Sequence, residues 1–212
     1  LEYIPDLIVS DVKMQKKDGY EVCDTLKNDE RTSHIPIVLL TAKADAPSKI
    51  VGLRRGADAY LTKPFDKEEL LVRLEMLVLR QKRMVAHFSQ EFLAGAVVEK
   101  DSEEVIQIES AFLQKVQQIV AAHYQDENFA LPQLCQKIGM SRSQLFRKMK
   151  ALIDTSPSAF IRDYRLKQAK ELLETTDLNV SEVAWQVGFK NVAHFSKSFQ
   201  DHFGHAPSAT SK

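Results

Sequence analysis

The stretch that decides the fold of the C-terminal half joins a short apolar helix pattern, a glycine and a polar-faced helix pattern. It reads Leu134-Cys135-Gln136-Lys137-Ile138-Gly139-Met140-Ser141-Arg142-Ser143-Gln144-Leu145-Phe146-Arg147-Lys148. Gly139 supplies the turn, and Ser141 can cap the second helix because its hydroxyl can accept a hydrogen bond from a free backbone N–H. This order of signals predicts a helix-turn-helix.

The same order of signals occurs again nearer the C-terminus. A second short apolar helix pattern begins at Val180, Gly188 supplies its turn, and Asn191 stands in the capping position. One long amphipathic helix, from about Pro157 to Thr175, joins the two pairs. The region from about residue 131 to residue 207 is therefore predicted to be an all-α double helix-turn-helix.

The second helix of each pair combines a buried side with a polar side. Helical spacing places Leu145, Met149 and Leu152 inward in the first, and Phe195 and Phe199 inward in the second. The residues predicted to point outward or to flank that face are Arg142, Ser143, Arg147, Lys148, Lys150, Ala193, Lys197 and Gln200. A helix that is buried on one side and basic on the other suits the DNA major groove.

Basic residues concentrate in this half although the whole chain has a net charge of zero. Residues 1–108 carry 16 Lys and Arg against 19 Asp and Glu, and residues 109–212 carry 13 against 10. Residues 137–170 alone hold nine bases and two acids. Such a concentration attracts phosphates and makes the affinity for nucleic acid fall with salt.

These motifs resemble those of the AraC/XylS family of bacterial transcription regulators. The matching segments are residues 139–148, 156–162 and 165–169, then 180–184, 187–189, 195–199, 203–204 and 207–208. The resemblance implies a sequence-specific transcription regulator that binds double-stranded DNA. His194 departs from the family pattern, which usually has an aromatic residue such as Tyr there, and this departure is expected to alter base preference.

The resemblance and the outward positions together predict which residues contact DNA. Arg147 is the first candidate for a bidentate contact to guanine, and Lys197 is its counterpart in the second pair. Ser143 and Ala193 can contact the backbone or a thymine methyl. Contact with phosphates is expected for Arg142, Lys148, Lys150, Arg162 and Arg165. Arg162 and Arg165 could instead pair with Asp163 and Glu171.

The N-terminal half alternates strand and helix patterns. Short apolar runs at residues 6–10, 35–41 and 59–61 predict strands, and residues 19–28, 49–55 and 67–85 predict helices. Alternation of this kind indicates a parallel sheet with helices on its faces. The expected fold is therefore an α/β unit of three parallel strands joined to the all-α unit.

This half resembles the flavodoxin-like receiver domain of two-component response regulators. Asp11-Val12-Lys13-Met14 ends one strand, Thr41-Ala42 ends the next, and Lys63-Pro64-Phe65 follows the third. The resemblance implies that Asp11 accepts a phosphoryl group, Thr41 hydrogen-bonds it and Lys63 neutralises it. Tyr60 would be the aromatic side chain that turns inward.

A complete receiver also has an earlier strand that ends in two acidic residues, and no such strand precedes Leu1. Asp11 alone cannot hold Mg²⁺, which the intact family uses for phosphorylation and which requires near-octahedral oxygen ligation. We therefore expect a truncated receiver that is not phosphorylatable as it stands. The strand ending at Asp11 would lose a neighbour, so a homodimer or strand exchange is expected to cover the exposed edge.

Length and composition suit two small cytoplasmic domains, and we assign residues 1–85 to the receiver, 86–108 to a linker and 109–212 to the DNA-binding domain. No apolar run is long enough for a membrane span, and Cys23 and Cys135 are expected to be reduced.

The histidines near the C-terminus match no four-ligand zinc pattern. Asp11 and Lys63 lack a nucleophile and base partner, so no enzyme is expected. Trp185 and Phe189 are expected in the core.

The sequence thus predicts a transcription regulator whose output is controlled through Asp11. The alternative is the C-terminal portion of a hybrid sensor kinase, with the receiver remnant as a docking or dimerisation module. The expected partners are DNA, a second copy of the chain, a cognate histidine kinase and RNA polymerase.

Overall fold

The computed structural model of the chain describes residues 5–42, 56–94 and 104–210. Backbone contacts divide the chain into two compact units, Leu1–Phe112 with Arg147–Asp154, and Leu113–Phe146 with Thr155–Lys212. The boundaries that we assigned from the sequence, at residues 85 and 108, stay a prediction.

A parallel sheet forms the centre of the α/β part, as the sequence pattern predicts. Within the described residues its strands are β1 (Ile8–Asp11), β2 (Ile37–Thr41) and β3 (Ala59–Thr62), in the order β1-β2-β3. The register pairs Asp11 with Leu40 and Thr41 with Thr62. The carboxyl ends of all three strands therefore lie at the same edge of the sheet.

Helices cover both faces of the central strand. Among the described residues, the helices of this part are α1 (Gly19–Lys27) and α2 (Lys67–Ala94). Cys23 of α1 packs in one cluster with Ile37, and Leu77 of α2 packs in another with Val38. Because β2 is buried on both faces, its sequence is a continuous apolar run rather than an alternating pattern.

Two helices are longer than the core of the sequence pattern. Helix α2 continues past Val85 to Ala94, because no glycine or proline interrupts the pattern before Gly95; the sequence leaves an extension over residues 81 to about 92 open. The next helix begins at Glu104, whereas the core spacing of Phe112, Val116, Ile119 and Val120 in the sequence predicts a start at Ser110. The predicted helix at residues 49–55 lies outside the described residues.

The C-terminal part is helical and contains both predicted helix pairs. Its helices are α3 (Glu104–His123), α4 (Leu131–Ile138), α5 (Arg142–Ile153), α6 (Pro157–Thr175), α7 (Val180–Gln186) and α8 (Val192–Phe203), followed by a 3-10 turn at Pro207–Ala209. Helices α4 and α5 form the first pair, and α7 and α8 form the second. Helix α6 connects them.

The predicted core positions of this part are buried. Leu145, Met149 and Leu152 are at most 1% exposed, and Phe195 and Phe199 are fully buried. Helices α6, α7 and α8 share one apolar cluster, whose fully buried members are Leu166, Ala169, Leu173, Val183, Ala184, Val187, Phe195 and Phe199. These core predictions are confirmed.

One expected core residue lies on the surface instead. Trp185 of α7 is 59% exposed, whereas Phe189 is buried. Trp185 is two residues after Val183 and one after Ala184, so the helical rotation that buries those two side chains turns the indole outward. The prediction for Trp185 is therefore wrong, and the prediction for Phe189 is confirmed.

Candidate nucleic-acid interface and phosphoacceptor pocket

Side-chain caps fix the start of both second helices, α5 and α8, which we call the reader helices. In α5 the Ser141 hydroxyl accepts from the Gln144 N–H at 3.3 Å, and Gln144 Oε1 accepts from the Ser141 N–H at 2.9 Å. In α8 Asn191 Oδ1 accepts from the His194 N–H at 3.0 Å. The predicted capping roles of Ser141 and Asn191 are confirmed. Each cap satisfies donors that a helix start leaves free.

The reader helices correspond position by position with an offset of 50 residues. The equivalent pairs are Ser143 with Ala193, Leu145 with Phe195, Arg147 with Lys197, and Met149 with Phe199. The second and fourth pairs are fully buried, and the first pair is exposed. The doubled motif therefore presents equivalent surfaces from the two helices.

The predicted DNA contacts of α5 divide into an accessible set and a buried residue. Arg142, Ser143 and Lys150 are exposed, and Arg147 is half-buried. Lys150 pairs with Asp154, the residue that follows the end of α5, at 2.6 Å. A solvent-exposed pair of this kind contributes little to stability, so Lys150 can exchange that carboxylate for a phosphate.

Lys148 does not point outward, and its assignment as a phosphate contact is corrected. Its side chain is fully buried, and Nζ lies 2.7 Å from Glu109 Oε2, a carboxylate that is also fully buried. The ammonium also lies 4.6 Å from the centre of the Phe112 ring. A buried cation needs such partners because removal from water is costly. In this conformation Lys148 is a structural residue.

The predicted contacts of α8 all lie on its surface. Ala193, His194 and Lys197 are exposed. The His194 ring lies 5.8 Å from the Phe189 ring, centre to centre, at an angle of 48°. The exposed surface of α8 therefore offers an ammonium, an imidazole and a methyl group, and it carries fewer bases than that of α5.

Arg165 serves the backbone of its own unit rather than an exposed surface. Its guanidinium donates to the carbonyl oxygens of Tyr124 at 2.8 Å, Asp126 at 2.7 Å and Phe129 at 3.0 Å. Burial lowers the pKa of Arg165, with Asp126 opposing that shift. The predicted phosphate contact is therefore corrected, because Nε and Nη2 already donate to three backbone carbonyl oxygens. Arg165 therefore takes neither of the two roles that the sequence suggested, a phosphate contact or pairing with Glu171.

Arg162 stays on the surface, one turn before Arg165. Its guanidinium pairs with the adjacent Asp163, Nη2 to Oδ1, at 2.9 Å, and its side chain is half exposed. The pairing that the sequence left open is therefore formed. The exposed guanidinium can still reach a phosphate.

The segment between α3 and α4 holds the second helix pair, a role that the sequence reasoning missed. Gly188 has a φ of +81°, and a Cβ on it would lie 2.3 Å from the Tyr124 carbonyl oxygen. Lys190 Nζ donates to Asn128 Oδ1 at 2.8 Å. Together with Arg165, these contacts fix the turn of the second pair against that segment. Of these residues, the sequence singled out Gly188 for this region, and it predicted only that Gly188 forms a turn.

A pocket at the carboxyl edge of the sheet brings together three of the predicted phospho-signalling residues. Asp11, Thr41 and Lys63 all line it. Lys63 Nζ lies 2.7 Å from Asp11 Oδ1 and 2.8 Å from Oδ2. Both side chains are nearly half exposed, and Thr41 is buried. An ammonium held at an exposed carboxylate can neutralise charge added to that oxygen.

Tyr60 lies inside rather than at the pocket mouth. Its side chain is 3% exposed, and its hydroxyl shares a hydrogen bond with the hydroxyl of Tyr20. The two rings stack at 6.4 Å between centres. Because Tyr20 also lines the pocket, Tyr60 contacts the pocket wall from the interior.

Two contacts around the sheet were not anticipated, one beside this pocket and one at the opposite, amino edge of the strands. A Cβ on Gly19 would lie 2.4 Å from the Asp11 carbonyl oxygen, so only glycine lets α1 begin so close to the end of β1. Lys27 and Asp58 form a largely buried ion pair at 2.6 Å, and Asp58 accepts from the Ile37 N–H at 2.8 Å. The sequence gives no signal that pairs positions 27 and 58.

The donor set does not fit a complete magnesium site. Asp11 supplies the one carboxylate among the described residues that line the pocket, and Lys63 contacts both of its oxygens. Nowhere in the described parts of the chain do three or more His, Cys, Asp or Glu side chains gather as a metal site would require. Magnesium ligation needs further oxygen donors.

No helix in the described part of the chain combines the length and apolar character needed to cross a membrane.

Comparison with known proteins gives each half a separate match. Residues 2–75 match the response regulator receiver domain, and residues 134–212 match a helix-turn-helix domain. Over 205 residues, or 97% of the chain, the sequence is 38% identical to histidine kinase P4 of Formosa agariphila, of which it covers 15%. Over 80 residues, or 38% of the chain, it is 50% identical to the DNA-binding dual master transcriptional regulator RpaA of Synechocystis, of which it covers 33%.

Part of the chain is also similar to a solved structure. The C-terminal domain of the two-component response regulator yesN from Fusobacterium nucleatum is 29% identical, with a TM-score of 0.45. The match covers 47% of this chain and 96% of that domain. The chain spans a third or less of the length of the two sequence relatives.

Proposed function

Because the chain joins a response regulator receiver domain to an AraC-type helix-turn-helix domain, we propose that it is a sequence-specific DNA-binding transcription regulator of a two-component pathway. One observation carries this proposal. Two capped reader helices at an offset of 50 residues bury equivalent apolar positions, Leu145 with Phe195 and Met149 with Phe199. Ser143 and Ala193 are both exposed, and the cations Arg147 and Lys197 are half-buried and exposed. Such duplication suits a protein that reads two successive stretches of one duplex.

Each reader helix enters a major groove, with the two grooves roughly 10 base pairs apart on one side of the duplex. Arg147 contacts guanine through two hydrogen bonds, and Lys197 has the equivalent role in the second half-site. Ser143 and Ala193 contact the backbone or a thymine methyl group, and His194 modifies base preference in the second half-site. Arg142, Lys150 and Arg162 contact phosphates.

Asp11 is the phosphoacceptor of the complete protein, and a histidine kinase supplies the phosphoryl group. The Lys63 ammonium neutralises the added charge, Thr41 hydrogen-bonds a phosphoryl oxygen, and Tyr60 responds on the interior side of the pocket wall. Among the described residues that line the pocket, Asp11 supplies the one carboxylate, so no phosphate uptake is expected from this chain alone. A calorimetric titration with beryllofluoride and Mg²⁺ tests that expectation, and saturable tight binding would contradict it.

The second candidate function is the output end of a hybrid histidine kinase. The identity of 38% over nearly the whole chain with histidine kinase P4 favours it, because that similarity crosses both halves in one protein. In this case the kinase lies on the same polypeptide, and the receiver part docks it or a second copy of the chain. This chain itself carries no catalysis in either proposal. Both proposals include a homodimer, contact with RNA polymerase and a cytoplasmic location.

Selection of bound duplexes from a random pool tests the proposed function. The 212-residue chain is used at about 150 mM salt, near physiological ionic strength. We expect a motif with two half-sites about one helical turn apart.

Arg147→Ala should relax preference at one position at a cost of about 1–3 kcal/mol. Lys150→Ala is the matched control on the same helix, and it should weaken all sequences alike. Recovery of duplexes without any common motif would refute sequence-specific reading.

A further inference from the structure

An exposed aromatic side chain interrupts the polar surface of the first reader helix. Phe146 is 47% exposed, although it follows the fully buried Leu145 directly. Helical geometry places it one turn from Ser143 and one turn from Lys150, both exposed. Single exposed apolar side chains are common on protein surfaces, so what distinguishes this ring is its place between groups that are proposed to face DNA.

The surroundings of the ring restrict what that ligand contact can be. The exposed neighbours on α5 are hydroxyl, ammonium and guanidinium groups, which suit phosphates and base edges. In the major groove, the apolar group that a base pair offers to a phenyl ring is the C5-methyl group of thymine. Guanine, adenine and cytosine offer hydrogen-bonding atoms, which a phenyl ring cannot pair.

We propose that Phe146 is a specificity-determining residue that recognises a thymine methyl group in the first half-site. This inference rests on the proposed function, because it needs α5 in a major groove. It adds a phenyl ring to a helix whose other proposed contacts come from polar side chains. The equivalent position of the second reader helix is Ser196, which lacks a ring, so the phenyl contact belongs to the first half-site alone.

The test removes single methyl groups from the DNA. Within the selected duplex, each thymine is replaced in turn by deoxyuridine, which keeps the base-pairing edge and loses the C5-methyl group. For the unmodified protein, we expect one or two replacements in the first half-site to weaken binding by about 3- to 10-fold, a typical effect of losing one apolar contact. Replacements in the second half-site should have less effect.

Protein variants assign that loss to the ring. With Phe146→Ala, overall affinity should fall, and the same deoxyuridine replacement should change binding by less than about 2-fold. Phe146→Leu should keep part of the methyl preference. Trp185→Ala is the matched control, because it removes another exposed aromatic side chain, from α7, and should leave the deoxyuridine profile unchanged.

The outcomes separate the two proposals. If selection yields no motif, the proposed function fails. If a motif with two half-sites emerges but the deoxyuridine profile is flat, or is the same for Phe146→Ala as for the unmodified protein, DNA reading stands and the role of Phe146 is refuted. Phe146 would then be assigned to a contact with another protein.

Discussion

Loss of the Arg165 side chain should destabilise the helical unit without removing a phosphate contact. Its guanidinium donates to three carbonyl oxygens, at 2.7–3.0 Å. Arg165→Ala leaves those acceptors without their donor, and an unsatisfied partly buried acceptor costs about 1 kcal/mol. The free energy of unfolding should therefore fall by about 3 kcal/mol, and the melting temperature by roughly 6–12 °C for a chain of this length.

Two measurements distinguish this structural role from DNA contact. Urea unfolding followed by circular dichroism gives the free energy of unfolding, and titration of the selected duplex at several salt concentrations gives the slope of log K against log salt. A lost phosphate contact reduces the magnitude of that slope by about 0.9. For Arg165→Ala we expect an unchanged slope, measured at a temperature where the variant is folded.

Arg162→Ala is the matched control from the same helix. Its guanidinium is exposed and pairs with Asp163, so stability should change by less than about 1 kcal/mol. The slope should decrease in magnitude if Arg162 contacts a phosphate. The structural account of Arg165 is refuted if Arg165→Ala unfolds like the unmodified protein and loses salt dependence.

Three further predictions follow from buried or strained positions. Lys148→Met should lower the free energy of unfolding in urea by about 3–5 kcal/mol, because it leaves the buried Glu109 carboxylate unpaired. Adding Glu109→Gln to this variant should restore most of the lost stability. If the two substitutions instead lower the free energy of unfolding by the sum of their separate effects, the pairing is contradicted. Gly188→Ala should lower the melting temperature far more than Gly139→Ala, because both have a φ near +80° but only at Gly188 would the new Cβ collide with a carbonyl oxygen; equal losses would refute the steric argument. Burial raises the pKa of Cys23 to about 11, so the stability that its neutral thiol contributes is present below about pH 9 and is lost as pH rises toward 11; Cys23→Ala should flatten that alkaline decline in unfolding free energy.

Most of the candidate DNA interface was predictable from nearby residues. The starts of both reader helices, at Ser141 and Asn191, depend on side chains within three positions of the helix start. The buried side of α5 follows from helical spacing, which places Leu145 and Met149 together. The α/β part was predictable for the same reason, because a buried parallel strand requires a continuous apolar run.

The fates of two basic side chains were not predictable in this way. Lys148 and Arg165 carry the same chemistry as Lys150 and Arg162, yet the first two are engaged by their own unit and the second two are exposed. The acceptors of Arg165 lie 36 to 41 residues away in the chain. The exposure of Trp185, by contrast, follows from its rotation around the helix relative to Val183 and Ala184, and the prediction failed because it weighed the residue type above that spacing.

The sequence by itself determined where helices and strands form, which faces are apolar, and that two equivalent reader helices exist, because these properties depend on local spacing and capping. Only the tertiary structure decided which basic side chains remain available to a ligand. A Lys or Arg side chain binds whichever carboxylate or carbonyl oxygen the fold brings within about 3 Å of it, and chain folding, rather than local sequence, brings Glu109 to Lys148 and the Tyr124 carbonyl to Arg165.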